Sequence, residues 1–335
     1  MVDIVSPATA RKHTAHLSWE VLLTVILAGS LALGRLLSSV FLQTDNLGNI
    51  LLDVTEISLM ALPMTFIIVT GEIDLSVASV LGASSALMGV LWHMGLPMPL
   101  VMALVVTGGA AAGALNGWLV VGLELPSLAV TIGTLALFRG LAYVLLGDQA
   151  VADFPASYTA FGMNPLGATF IPQPFAIVIV GAVLFGIVLH ATPFGRSLYA
   201  IGANPSAARF SGIDVSRAKL RLFVLSGLVS AIAGVIFTLR FTSARGDNGE
   251  GFELAVIAAV LFGGVTIFGG RGSLYGVLLS LLIVGVLRNA LTLVDVSSET
   301  LTIVTGLLLL SSVLIPNLVA GWRARRDKRL VAARR

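Results

Sequence analysis

The chain of 335 residues contains no cysteine. That excludes a disulfide framework and any thiolate-bound metal. Its four histidines, His13, His16, His93 and His190, are scattered without ligand spacing, so no metal site is expected. Charge is scarce too. Asp, Glu, Lys and Arg make up 11% of the residues, against about a quarter in a soluble domain. No GxxxxGK[ST] phosphate loop occurs. No Ser-His-Asp set or paired-carboxylate site is found either, so the chain is not expected to be an enzyme or to hold a cofactor. If ATP drives it, the nucleotide sits on another polypeptide.

What is abundant is apolar surface. Hydrophobic residues make up 57% of the chain and the mean hydropathy is +0.99. A membrane-crossing helix needs about 20 mainly apolar residues. Ten stretches qualify: 17–37, 48–70, 75–94, 97–121, 126–146, 170–190, 219–240, 252–268, 272–293 and 300–318. The eighth is short and followed by GGRG, which marks it as a broken or re-entrant element. The fold class expected is all-α, a polytopic membrane helix bundle of about ten segments embedded in a lipid bilayer. The cations orient it. Arg11, Lys12, Arg196, Arg209, Arg217, Lys219, Arg221, Arg271 and seven more from Arg323 to Arg335 fall on one side. By the positive-inside rule that side is cytoplasmic and holds both termini. Cleaving the first span as a signal peptide would invert this pattern, so the span is expected to stay. The division is then a tail at 1–16, a membrane domain at 17–318 with a central loop at 191–218, and a basic tail at 319–335. The outer loop 147–169, with Pro155 and Pro165, is expected to be irregular.

The central stretch Thr192–Arg221 is the longest polar interruption, with five cations and one acid, Asp214. It carries a helix signature. Asn204 can cap, Pro205 suits the first position, Ser206–Ser211 makes about two turns, and Gly212 can take the left-handed stop. So short a helix persists only when packed. It reads as a small cytoplasmic helix that engages a separate motor protein.

Two further segments stand out. In Thr70–Leu87, Glu72 and Asp74 sit where one span yields to the next, and Gly82–Ala86 are small residues suited to close helix packing. Asp74 reads as a helix cap, with Ser76 and Ser79 satisfying backbone. In Ser243–Gly276, Arg245, Asp247, Glu250 and Glu253 crowd an outer turn, and glycines punctuate the short span. Polar groups inside spans are few. Asp74, Ser84, Asn116, Thr131, Thr134 and Asn289, with Phe138, would line a translocation path. Asp53 and Glu56 lie three apart on one helix face near the outer end, the wrong depth for ion coupling in a secondary carrier or channel, the reading of another class. Arg139, Arg240, Arg245 and Arg288 would ring the outer mouth and suit docking of an acidic soluble protein.

Four segments carry a family resemblance: GEIDLSVAS at 71–79, NGWLVVGLELPSLAVTIGTLALFRGLAYVL at 116–145, GRSLYAIGANPSAARFSGIDVSR at 195–217, and ARGDNGEGFELAVIAAVLFGGVTIFGGRGSLYG at 244–276. Together they resemble the inner-membrane permease subunit of bacterial ABC sugar importers, of the ribose/xylose/rhamnose and autoinducer-2 type, in the branched-chain amino acid/ribose permease superfamily. The resemblance implies a permease that works with a cytoplasmic ABC ATPase, a periplasmic substrate-binding protein and a second permease subunit, either a copy of itself or a different chain. It implies a multi-pass protein of the bacterial inner membrane, with no nucleic-acid partner. It implies a rhamnose- or pentose-like sugar as solute, with autoinducer-2 as the alternative. It implies ATPase coupling at Gly202, Asn204, Pro205, Ala207, Ala208, Gly212 and Ile213. The chain departs from the family pattern at Glu72 and Ala78, where glycine is common.

Overall fold

The structure is a computed structural model that describes residues 10–297 and positions 300, 303, 306 and 307. The expected basic tail at 319–335 lies outside the described residues, as does the expected span at 300–318 apart from those positions. The described chain is all-helical: α1 Ala10–Leu37, α2 Thr44–Asp53, α3 Thr55–Val69, α4 Val77–His93, α5 Met98–Gly122, α6 Ser127–Leu146, α7 Ala156–Met163, α8 Gln173–Ala191, α9 Pro193–Ala203, α10 Pro205–Phe210, α11 Val215–Phe241, α12 Phe252–Phe262 and α13 Leu274–Thr292.

Six described helices are long and apolar enough to cross a membrane, or seven if α2 and α3 form one bent span. Three expected spans change form. The stretch 48–70 is broken at Val54 with a 45° bend between α2 and α3. The stretch 75–94 is the 17-residue α4. The stretch 252–268 ends as the 11-residue α12, only about 16 Å long at 1.5 Å per residue. An irregular segment follows it to Ser273. The outer loop 147–169, expected to be irregular, contains α7. The central loop holds two helices, α9 and α10, where one was expected.

Two helices organise the bundle. In α3 every residue except Ile57 is buried, as expected for a helix that is apolar on all sides. The long α11 packs against α3, α4, α5 and α7. With α10 at its start, α11 defines a near end, and Arg240 lies at the far end. The tightest seam is α5 on α11. Gly109, Gly113 and Gly117 form one stripe on α5, and methyl groups there would overlap Gly227, Phe223 and Leu220. Small residues let backbones touch where lipid gives no hydrophobic drive. Gly113→Ala is therefore expected to lower stability by about 1–3 kcal/mol, read as a lower unfolding temperature of the detergent-solubilised protein. Gly108→Ala is the control, since its methyl would meet only Leu87 at ordinary contact distance.

At the end of α12 the helix carbonyls need partners. The Trp19 indole of α1 donates to Phe262 O at 3.2 Å. Ser280 of α13 donates to Ala259 O at 2.5 Å. A half-length helix inside a bundle is stable only where such groups satisfy its freed backbone.

Candidate functional site

The near end is built around α9 and α10. Thr192 caps α9, its hydroxyl accepting from Gly195 N at 3.2 Å. Asn204 Oδ1 accepts from Ala207 N at 3.0 Å and caps α10, with Pro205 at the first position. The helix ends at Gly212, φ +83°. Gly212 N donates to Arg209 O at 3.0 Å and Ile213 N to Ala208 O at 3.1 Å. This pair of bonds is the Schellman closure that a left-handed glycine permits. Asp214 then caps α11 through Arg217 N at 2.9 Å. Four caps within 23 residues make the segment rigid although α10 has only six residues.

The segment is also tied to the bundle. Gly202 packs so closely on α3 that a methyl group there would overlap Val69 O and Gly270 N. Gly270 N itself donates to Val69 O at 2.8 Å. The Tyr199 hydroxyl donates to Gly272 O at 2.8 Å. Burial pushes its pKa up to about 12, so it stays a proton donor throughout the neutral range. Thus α9 joins the end of α3 to the irregular segment after α12. Of the seven residues matched to the coupling segment, Ala208 is buried against the core and Gly202 and Ile213 are half-buried. Asn204, Pro205, Ala207 and Gly212 are exposed.

One step inward lies a buried polar knot. Asp74 Oδ1 accepts from Ser76 N at 3.0 Å and Ser76 Oγ at 2.6 Å. Its Oδ2 accepts from Ser226 of α11 at 2.8 Å. Ser76 Oγ in turn accepts from Asn116 Nδ2 of α5 at 2.8 Å. Thr131 of α6 donates to Ile73 O at 3.3 Å. Lys219 and Glu72 form an ion pair beside it. Asp74 thus fixes the turn before α4, and four elements meet on it. Of the expected path residues, Asp74, Asn116 and Thr131 come together here. Thr134 and Phe138 continue along the buried face of α6, and Ser84 is buried on α4. Asn289 does not join them. It exchanges two side-chain hydrogen bonds with Asn46, at 2.9 and 3.0 Å, at the far end. Ser226 was not foreseen, because a lone serine in an apolar span carries no local signal.

The far-end arginines do not form one exposed ring. Arg139 is clamped inward, donating to Gly246 O at 2.8 Å, Asn248 O at 2.9 Å and Ala78 O at 3.3 Å. Gly82 leaves the space its guanidinium fills. Arg240 binds Leu52 O at 2.9 Å, Asp53 at 2.5 Å and Glu56 at 3.1 Å. These bonds hold the α2–α3 bend. Asp53 and Glu56 lie on two helices, not on one face of a single helix. Only Arg245 and Arg288 are exposed. Arg245 pairs with Asp247 at 2.9 Å, and this hydrogen-bonded guanidinium holds the Asp247 carboxyl below its ordinary range. The pair's contribution is present above about pH 4, the ordinary carboxylate value, and is lost as pH falls. Its exposure keeps that contribution small.

Long apolar helices form the bundle, and the capped α9–α10 unit packs onto its near end. The family described as "Branched-chain amino acid transport system / permease component" matches residues 46–313. The chain belongs to this permease family. The permease is 39% identical over 283 residues to the ribose import permease protein of Bacillus subtilis, covering 84% of this chain and 87% of that one. It is 34% identical over 325 residues to an autoinducer 2 import system permease protein of Yersinia enterocolitica, covering 93% and 98%. The corresponding Escherichia coli K12 protein is 36% identical over 265 residues, covering 77% and 79%. No solved structure matches the chain. Membership of this family makes the chain a membrane-spanning transport subunit.

Proposed function

We propose that this permease is the membrane subunit of an ATP-driven sugar importer of the bacterial inner membrane. A periplasmic binding protein delivers a rhamnose- or pentose-like sugar, and cytoplasmic ATPase subunits drive its passage through a pair of permease chains. The observation that carries this reading is the α9–α10 unit. A six-residue helix with its free backbone groups satisfied by caps at both ends holds its shape better than an uncapped loop of the same length. Its neighbour α9 packs backbone against backbone on the end of α3 at Gly202. It also bonds through the Tyr199 hydroxyl to Gly272 O in the segment after α12, which itself bonds to α3 through Gly270 N and Val69 O. Movement of α10 would therefore reach the base of two spans and, through the α3–α4 turn, Asp74. The chain has no phosphate loop of its own, so force must arrive from outside.

Autoinducer-2 is the second solute to test, favoured by a match that runs over nearly all of the Yersinia protein. The experiment is uptake of labelled ribose, rhamnose and autoinducer-2 by cells lacking other importers and expressing the permease with its ATPase and binding protein. ATP depletion should stop uptake, whereas collapse of the proton gradient alone should not. The opposite pattern would make the chain a secondary carrier. Gly212→Pro removes the donor N–H and the positive φ together, so coupled uptake is expected to fall at least about tenfold, the equivalent of 1.4 kcal/mol, with membrane insertion unchanged. Ala207→Asp places a charge on the exposed face and tests contact. Ala208→Asp would bury the charge and tests packing instead.

A further inference from the structure

Two phenylalanines stand almost completely uncovered, Phe210 at 94% and Phe268 at 89% exposure. Neither lies on a membrane span. Phe210 is the last residue of α10, flanked by exposed Arg209 and Ser211. Phe268 is at the tip of the irregular segment between α12 and α13. There Thr266 N donates to Arg271 O at 3.1 Å, Gly269 N to Thr266 O at 2.9 Å, and the Thr266 hydroxyl to Gly269 O at 2.8 Å. Exposed irregular backbone does not face hydrocarbon, where its polar groups would go unsatisfied. Both rings therefore lie on the water side of the bundle. They lie at the same end, because Gly270, two residues after Phe268, bonds to Val69 and packs on Gly202–Ala203, just before α10.

We infer that the ATPase subunit grips this permease at two aromatic anchors, Phe210 on α10 and Phe268 on the segment between α12 and α13. The inference rests on the importer reading above and extends its coupling site to a second segment. Both rings are held on backbone fixed by caps and cross-bonds, so little further ordering is needed to bury them, and rigid anchors favour association. Around Phe210 the exposed residues are small or polar: Asn204, Ser206, Ala207, Ser211 and Gly212. One aromatic set among near-neutral contacts is the pattern of an interface hot spot. The partner's chemistry follows from the surface. It offers two apolar pockets with acidic rims, matched to exposed Arg209 and Arg271. A bilayer surface fits less well. It prefers a continuous apolar helix face, whereas these rings sit on two separate segments, one of them not helical. A two-point grip has a mechanical consequence. A partner holding only α10 can push on α9, whereas one that also holds the Phe268 turn can move α9 and the break below α12 as one body.

The test uses the absence of cysteine, which gives single-cysteine variants a clean background. F210C and F268C are made in the full chain and reconstituted in nanodiscs, with and without the ABC ATPase subunit that supports its uptake. Labelling by a membrane-impermeant maleimide should proceed at both positions in the permease alone and slow at least about tenfold at both once the ATPase is bound. In parallel, F210A and F268A should each weaken ATPase binding by about tenfold or more, the hot-spot range. A complex that forms while position 268 labels as fast as before, with F268A binding normally, overturns the second anchor and leaves the importer reading intact. Slow labelling of both positions by lipid alone assigns the rings to the bilayer and overturns the proposal. Failure of the wild-type permease to bind the ATPase overturns the importer reading itself.

Discussion

Arg240→Met is expected to lower the unfolding free energy by about 3–5 kcal/mol, the cost of leaving a buried charge without its partner. Arg240 is the cation in contact with Glu56, whose side chain is fully buried, and it also bonds the half-exposed Asp53 and the Leu52 carbonyl. Removing it would strand Glu56 and free a carbonyl at the α2–α3 break. The two acids should not contribute equally. Asp53→Asn is expected to cost less than about 1 kcal/mol, since an exposed carboxylate is solvated with or without its partner. The double variant Arg240→Met with Glu56→Leu should recover most of the loss, because an apolar pair of similar volume replaces a buried ion pair at little cost. Unfolding of the detergent-solubilised protein measures all three. Equal loss in the single and double variants would show that Arg240 acts by packing and not by charge.

Gly202→Val is expected to reduce coupled uptake by more than about tenfold, an effect of at least 1.4 kcal/mol. The added methyls would meet the carbonyl of Val69 and the amide of Gly270, both backbone atoms. A side chain can rotate away from an intruder, but a helix terminus cannot. α9 would have to lift, and the Gly270–Val69 hydrogen bond would be lost with it. Global stability should change by about 1–3 kcal/mol, the usual range for overpacking. ATPase binding should change little, because the exposed face of α10 is untouched. Uptake and ATP hydrolysis measured together in proteoliposomes separate these effects. Hydrolysis that persists while uptake fails would place Gly202 in transmission. Unchanged uptake would mean that the α9–α3 seam carries no force.

The α10 unit was legible in the sequence because its determinants are local. Asn204 caps three residues ahead, Pro205 fixes the first φ, and Gly212 supplies the left-handed stop. None of these needs a distant partner. The all-helical membrane class was equally legible, since 57% hydrophobic residues in stretches of about 20 leave few alternatives. The bend at Val54 was not, because the cation that holds the flanking Asp53 and Glu56 there is Arg240, 184 to 187 residues away along the chain. Neither was the role of Arg139, whose bonding partners are backbone carbonyls from residues 61 to 109 positions away.

The sequence by itself determined the all-helical class, the capped short helix after Asn204, and that no phosphate loop is present. Composition, periodicity and capping act over a few residues, so those features are written in order along the chain. Only the tertiary structure decided which charges are paired and which rings are uncovered. Arg240 meets Glu56 across 184 residues, and Ser226 meets Asp74 across 152. Ala208 turns inward while Phe210, two residues on, turns out. Such pairings depend on how helices settle against one another in three dimensions. A buried carboxylate must find its donors wherever the packing places them.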